Sequence, residues 1–303
     1  MANIRHKQTT KYFLLTDKLC SNIIFKQGKR KKSDFEIYGE RLGLSLYAGN
    51  EYQELEELNL NQFDKAILQS AISEMLAGNE YTTPAILYKN LGGSCSNSLP
   101  DEMKNLILLS LEKLSHLRAV IDFSRINAKR KYIEVNKFNG FLLPSEFITA
   151  TISGQKSESI HFLGDSVLLK VAEEEKQFLT IDADLLQVPR LRNTELVIKL
   201  KTYLLERVAT IKGSHGKYKK HLAGKTSEGK YFFKSVKPLS NKILFDSLFV
   251  QCGLSDATKW KSQDIRKAIE KTLNHFKDKN FITEWKLTKK NNEYDGVQID
   301  FEV

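Results

Sequence analysis

Three helical patterns followed by a pair of strand-like runs occur twice along this chain, and that order restricts it to an α+β fold of two similar units. In the first unit, Phe63, Ile67, Ala71 and Met75 recur at every fourth residue, with Leu68, Ile72 and Leu76 beside them. This spacing predicts a helix over about 62–77 with one broad apolar face. Gly78-Asn79 suits its C-terminus. Thr83-Pro84 reads as a cap followed by proline at the first helical position, opening a short helix over 85–91 that Gly92-Gly93 stops. Pro100-Asp101-Glu102 opens a third helix, with Met103, Ile107, Leu111 and Leu114 on one face. Strand-like runs follow at 119–123 and 132–135, around a turn that carries Arg125, Lys129, Arg130 and Lys131.

The second unit repeats the order. Asn193-Thr194-Glu195 is a capped helix start with an acid in its first turn. Val197, Leu200, Leu204, Val208 and Ile211 form the stripe of the helix that follows. Residues 213–230 read as a basic, glycine-rich loop holding His215, Lys217, Lys219, Lys220, His221 and Lys225. A second helical segment covers 241–252, and Ser262 caps a third with Ile265, Ile269, Leu273 and Phe276 inward. Strands at 281–287 and 297–303 flank a polar turn, and Val297, Ile299, Phe301 and Val303 alternate as in a half-buried strand. Between the units, 147–153, 160–163 and 167–171 read as extra strands attached to the first unit, and Pro189 marks the junction. Apart from strand-like pieces at Ile37-Tyr38 and 44–47 and a basic run at 26–35, the first 60 residues give no clear pattern. The expected division is therefore 1–60, 61–189 and a basic 190–303.

Three helices and a hairpin is the winged-helix order, so the expected architecture is two tandem winged-helix domains, the first with extra β-strands. In such a domain the third helix enters the major groove and the wing reaches the flanking backbone. Charge points the same way. The net charge is +10, and residues 190–303 hold 24 Lys and Arg against 13 Asp and Glu, while 1–189 hold 23 against 24. A region so biased attracts polyanions, chiefly nucleic acid or an anionic membrane surface, and the asymmetry favours nucleic acid.

With its apolar stripe inward, the last of these helices shows Gln263, Arg266, Lys267, Glu270, Lys271, Asn274 and Lys277 outward. Arg, Gln and Asn bond base edges bidentately; Lys271 and Lys277, with Lys259 and Lys261 just ahead of the helix, suit phosphates. Its wing adds Lys286, Lys289, Lys290, Asn291 and Asn292. Ser262 at the helix start, Lys217, Lys219 and Lys220 of the loop, and Arg125, Lys129, Arg130 and Lys131 of the first wing complete the candidate DNA-binding set. The competing reading is a solvated helix face laced by i,i+4 pairs such as Arg266 with Glu270. The matching helix of the first unit mixes Lys104, Asn105, Lys113 and His116 with Asp101, Glu102 and Glu112, so backbone or protein contact is expected there.

Catalysis has no signature here. Gly224-Lys225-Thr226 looks like the tail of a phosphate-binding loop, but Lys219 stands where that motif needs its first glycine. The six histidines form no HxH or HExxH, and no GxSxG is present, so neither metal, cofactor nor enzymatic turnover is expected. Cys20, Cys95 and Cys252 lie far apart without a CxxC, which fits a reducing cytoplasm. No apolar run reaches the length of a membrane span, and the first residues carry no apolar signal region, so a cytoplasmic protein without a membrane partner is expected.

Phe63-Asp64, Ala77-Gly78-Asn79-Glu80, Thr82-Thr83-Pro84 and Ile86-Leu87-Tyr88 resemble the first winged helix of replication initiator proteins from plasmids and related mobile elements of Gram-positive bacteria. Leu185-Leu186-Gln187-Val188-Pro189, Asn193-Thr194 and the run 196–207 resemble the junction and first helix of their second winged domain, and the last hairpin fits as well. The resemblance spans roughly Leu60 to the C-terminus. It implies binding to repeated duplex sites at an origin, recruitment of a host initiation protein and helicase, and self-association as a dimer. A winged-helix transcriptional regulator and a helicase loader or other protein-interaction module are the alternatives.

Overall fold

The computed structural model describes the chain apart from residues 1–5, 16–23, 26–34, 38–39, 49–50, 54–58, 95–98, 124–136, 153–154, 175–177, 215–217, 226–230, 239, 255–262 and 303. Among the described residues of the first 60 are four strands, β1 (Lys11–Leu15), β2 (Phe35–Ile37), β3 (Glu40–Ala48), which contains the strand-like run at 44–47, and β4 (Glu51–Gln53). They are not a separate piece. β3 extends the sheet of the first unit, and β1 pairs antiparallel with β10 (Phe178–Asp182), more than 160 residues later.

The first unit then follows the expected order. Asn61 opens α1 (Gln62–Leu76) with a capping box: its side chain accepts from the Phe63 N–H at 2.7 Å, and Asp64 accepts from the Asn61 N–H at 2.9 Å. The other oxygen of Asp64 accepts from Ser110 at 2.6 Å, so one buried carboxylate caps the helix and ties it to its neighbour. A short β5 (Tyr81–Thr82) leads to α2 (Pro84–Asn90), capped by Thr83 as its sequence predicts. Next comes α3 (Asp101–His116), then β6 (Leu117–Asp122) and β7 (Lys137–Phe141). The strand at 132–135 lies outside the described residues; the partner of β6 is β7, in the sheet β2-β3-β6-β7 with β4 on β3. The added elements are a hairpin of β8 (Ser145–Ile152) and β9 (Gln155–Phe162), which pairs with β5.

One sequence expectation fails here. Residues 167–171 are not a strand but part of α4 (Val167–Glu174). Val167, Leu168, Leu169, Val171 and Ala172 are all buried, and Ser166 accepts from the Leu168 N–H at 3.2 Å at its start. A short continuous apolar run does not distinguish the two periods. A 3-10 turn, Ala183–Leu186, follows β10.

The second unit opens with α5 (Glu195–Ser214). The expected glycine-rich loop is instead a hairpin, β11 (Tyr218–Lys225) paired with β12 (Tyr231–Pro238), inserted between the first and second helices of the unit. β13 (Lys242–Leu244) and α6 (Phe245–Gln251) divide what reads as one helical segment. The third helix, α7 (Gln263–Asp278), and the wing strands β14 (Glu284–Lys290) and β15 (Glu293–Asp300) complete a winged helix with sheet order β13-β15-β14. Gly296 is required where β13 crosses β15: a Cβ there would lie 2.3 Å from the Ile243 carbonyl oxygen.

The units meet through their first helices. Thirteen of the fifteen residues of α1 are buried, so its polar face is covered as well as its apolar one. Lys65 and Glu206 of α5 form an ion pair at 2.8 Å, each side chain at most 3% exposed, and the Gln62 amide donates to Thr202 and Glu206. Beside them Lys201, wholly buried, donates to the carbonyls of Leu91 and Leu186 at 2.8 Å each and to the Asn193 side chain. Burial without a carboxylate partner lowers its ammonium to about 7. Gly92, at φ +79, completes the knot, because a Cβ there would meet the Leu186 oxygen at 1.9 Å. On the other side of α1, buried Glu74 accepts from His6, Thr9, Asn79 and Asn90, fastening the N-terminal segment to the first unit.

Candidate nucleic-acid interface

α7 turns Ile265, Ala268, Ile269, Leu273 and Phe276 into the core and leaves Gln263, Arg266, Lys267, Lys271, Asn274 and Lys277 exposed, as the 3.6-residue period requires. Asn280, at φ +54, ends the helix; the Phe281 N–H bonds back to the Phe276 carbonyl at 2.8 Å, and the chain turns into β14. The inner end of α7 is fixed to the segment that joins the units. Lys279 pairs with Asp184 at 2.6 Å and His275 bonds the Asp184 carbonyl at 2.9 Å. The Lys279 bond and charge hold the Asp184 carboxyl below its ordinary value.

The outer face divides in two. In its C-terminal half the side chains are engaged by the base of the wing. Trp285 of β14 donates its indole N–H to Asn274 at 2.9 Å, and Lys277 pairs with Glu284 at 2.5 Å, lowering the Glu284 pKa. Lys271 donates to the Arg190 carbonyl at 2.7 Å. In the N-terminal half, Gln263, Arg266 and Lys267 project on the exposed side, with Arg266 bonded to Glu270 at 2.7 Å. Arg192 joins Lys267 and Lys271 around a groove of about 530 Å³ between α5 and α7, floored by Leu196, Val197 and Leu200.

The wing lies beside this half. Asn291 and Asn292, at φ +51 and +65, form its two-residue tip, a geometry that asparagine tolerates well, so turn chemistry accounts for these residue types. Lys286, Lys289 and Lys290 are therefore strand residues, all exposed; the Lys289 ammonium sits 4.9 Å from the centre of the Tyr294 ring. Asp295, in the bulge, accepts from Lys242 at 2.6 Å and from Thr288 at 2.8 Å, and the Lys242 bond above all holds its carboxyl low.

The structure thus brings together Gln263, Arg266, Lys267, Lys271, Asn274, Lys277, Lys286, Lys289, Lys290, Asn291 and Asn292 on one helix and its wing. Lys219 and Lys220 belong to β11. Lys217, Lys259, Lys261, Ser262, Arg125, Lys129, Arg130 and Lys131 lie outside the described residues. Trp285 and Glu284 escaped the sequence reading, although Trp285 alternates with Leu287 in the strand that must pack on α7, which puts it on the helix side.

The first unit's third helix is placed differently. Lys104 of α3 pairs with Glu158 of β9 at 2.7 Å, which raises the Lys104 pKa. Leu108, Glu112 and His116 face Phe147, Ile148 and Thr149 of β8 across a groove of about 490 Å³. Leu109 and Phe147 are 49% and 46% exposed. No helix among the described residues is long and apolar enough to cross a membrane, and no group of three His, Cys, Asp or Glu among them is placed to hold a metal ion.

No protein-family model matches the chain, and no curated protein matches it. Two solved structures align along most of its length, both of domains 2 and 3 of RctB. The first, of selenomethionine derivatives, is 11% identical, covers 92% of this chain and 93% of that one, and has a TM-score of 0.43. The second is 11% identical, covers 96% and 95%, and has a TM-score of 0.40.

Proposed function

We propose that this chain is a non-enzymatic, sequence-specific duplex-DNA-binding protein that initiates replication by binding repeated sites at an origin. The observation that carries the reading is the joint exposure, on α7 and its wing, of Gln263, Arg266, Lys267, Lys286, Lys289 and Lys290. A groove-entering helix needs amide and guanidinium groups for base edges beside ammonium groups for phosphates, and this surface offers both within one unit. The likeness of the α1–α2 region and of the junction to plasmid initiators narrows the reading from DNA binding to origin binding. The first unit, whose α3 faces β8 across a partly apolar groove, is assigned to protein contacts, with a host initiation protein, a helicase or a second copy of the chain as partner. Cytoplasmic location follows from this role.

Footprinting of the full chain on DNA flanking its own gene, with competitor DNA present, tests the proposal. An array of protected repeats, lost when α7 and wing cations are replaced, is the expected result. One protected promoter site would instead indicate a transcriptional regulator, and salt-sensitive smearing without protection would reject sequence-specific binding. Contacts with roughly six to ten phosphates would make affinity fall steeply as salt rises.

A further inference from the structure

The pairing of Arg266 with Glu270 first reads as the mark of a solvated helix face, since an exposed i,i+4 pair stabilises a helix only slightly. Its geometry says more. Arg266 donates through Nε to Glu270 Oε1 at 2.7 Å, a bond that uses one edge of the guanidinium and leaves the edge formed by Nη1 and Nη2 for another partner. That edge presents two parallel N–H donors, which fit O6 and N7 of guanine. The side chain is flanked by the wing as well: Tyr294 of the wing lies close enough to Arg266 to interact with it, and Lys289 lies over the Tyr294 ring. The carboxylate itself is costly in this position. Its nearest outward neighbours on the helix, Gln263, Arg266, Lys267, Asn274 and Lys277, are cations and amides, with exposed Asp264 and Asp278 at the margin, and there it repels the phosphates that the cations attract. A surface made only for electrostatic grip is better without it.

We propose that Glu270 is a positioning residue for base reading: it fixes the guanidinium of Arg266 edge-on toward a guanine, giving up general affinity for DNA to gain selectivity. This rests on the reading of α7 as the groove-entering helix. Glu270 thus acts through Arg266.

Selection of bound duplexes from a pool with a randomised segment, using the full chain, tests this. The parent protein enriches a motif with guanine at one position facing Arg266. Glu270→Ala keeps the rest of the motif but loses about fivefold or more of the guanine preference at that position, the low end of what one bidentate contact gives. It also binds unselected duplex as well as the parent or better. Glu270→Gln, whose amide oxygen still accepts from Nε, keeps most of the preference, whereas Arg266→Ala loses it as Glu270→Ala does. The pair is exposed, so thermal unfolding is expected to stay unchanged in all three and reports on folding. Glu270→Ala retaining the full guanine preference, or weakening binding equally on every duplex, overturns the proposal. A parent protein that enriches no motif overturns instead the DNA-binding reading beneath it.

Discussion

The third helices of the two units, α3 and α7, occupy the same place in the same fold and present opposite surfaces. α7 exposes Arg266 and Lys267 beside a wing with three lysines. α3 has its Lys104 taken by Glu158, and its Leu108, Glu112 and His116 look across a groove at β8. The difference does not come from the winged helix. It comes from what is attached to it, the β8–β9 hairpin in the first unit and nothing comparable over the outer face of α7 among the described residues. Position in a fold does not confer a function; the surface left open does.

That contrast makes testable demands, the largest on the joint between the units. Lys65→Met leaves buried Glu206 without its cation and is expected to cost about 3–5 kcal/mol of folding stability by denaturant unfolding; the double variant Lys65→Met with Glu206→Leu recovers most of it. Recovery would show that the pair adds geometry rather than net stability to the joint between α1 and α5. Next in size, replacing Arg266, Lys267, Lys289 and Lys290 together by Ala removes protection of the specific site, and lowers the slope of log affinity against log salt by about three, from the three lysines. The same measurement on Lys104→Ala with Lys113→Ala is expected to change affinity by less than about twofold, as the proposed assignment of α3 to protein contact requires. A loss as large as that from α7 would erase the distinction between the helices.

The last effect concerns pH. Burial holds Lys201 near 7 in the folded chain against 10.5 when unfolded, so between these values the unfolded chain carries the extra proton. This group therefore adds stability as pH rises through that window, and adds no pH dependence below it. The stability of the parent relative to Lys201→Met is expected to grow between about pH 7 and about pH 9 in paired unfolding curves. A constant difference would mean that the three oxygens around the amine keep it charged throughout.

Much of this arrangement is legible in sequence because it depends on local rules. Thr83-Pro84 starts a helix wherever it stands, and the alternation of Val297 and Ile299 follows from a half-buried strand. What stays hidden depends on distant partners. Nothing near Lys65 announces that Glu206 will cover it, so α1 reads as amphipathic although it is enclosed on all sides. β1 finds its partner β10 far along the chain, and short β2 and β4 carry too few residues to show a period. Gly224 and the lysines around it suggest a loop, yet that segment is a β-strand paired with Tyr231–Pro238. In the candidate site, residue types are legible and engagement is not. Asn274 and Lys277 look as available as Arg266 until Trp285 and Glu284 are placed against them.

In the proposed function, DNA lies against α7 and not against α3. A photo-crosslinking side chain in place of Lys267, and in a second protein in place of Asn105, measures this directly when each is irradiated on DNA flanking the chain's own gene. The expected result is a strong, site-specific DNA crosslink from position 267 that excess unrelated duplex does not remove, and none from position 105. Equal crosslinking from the two positions, or crosslinking from 105 alone, would contradict it.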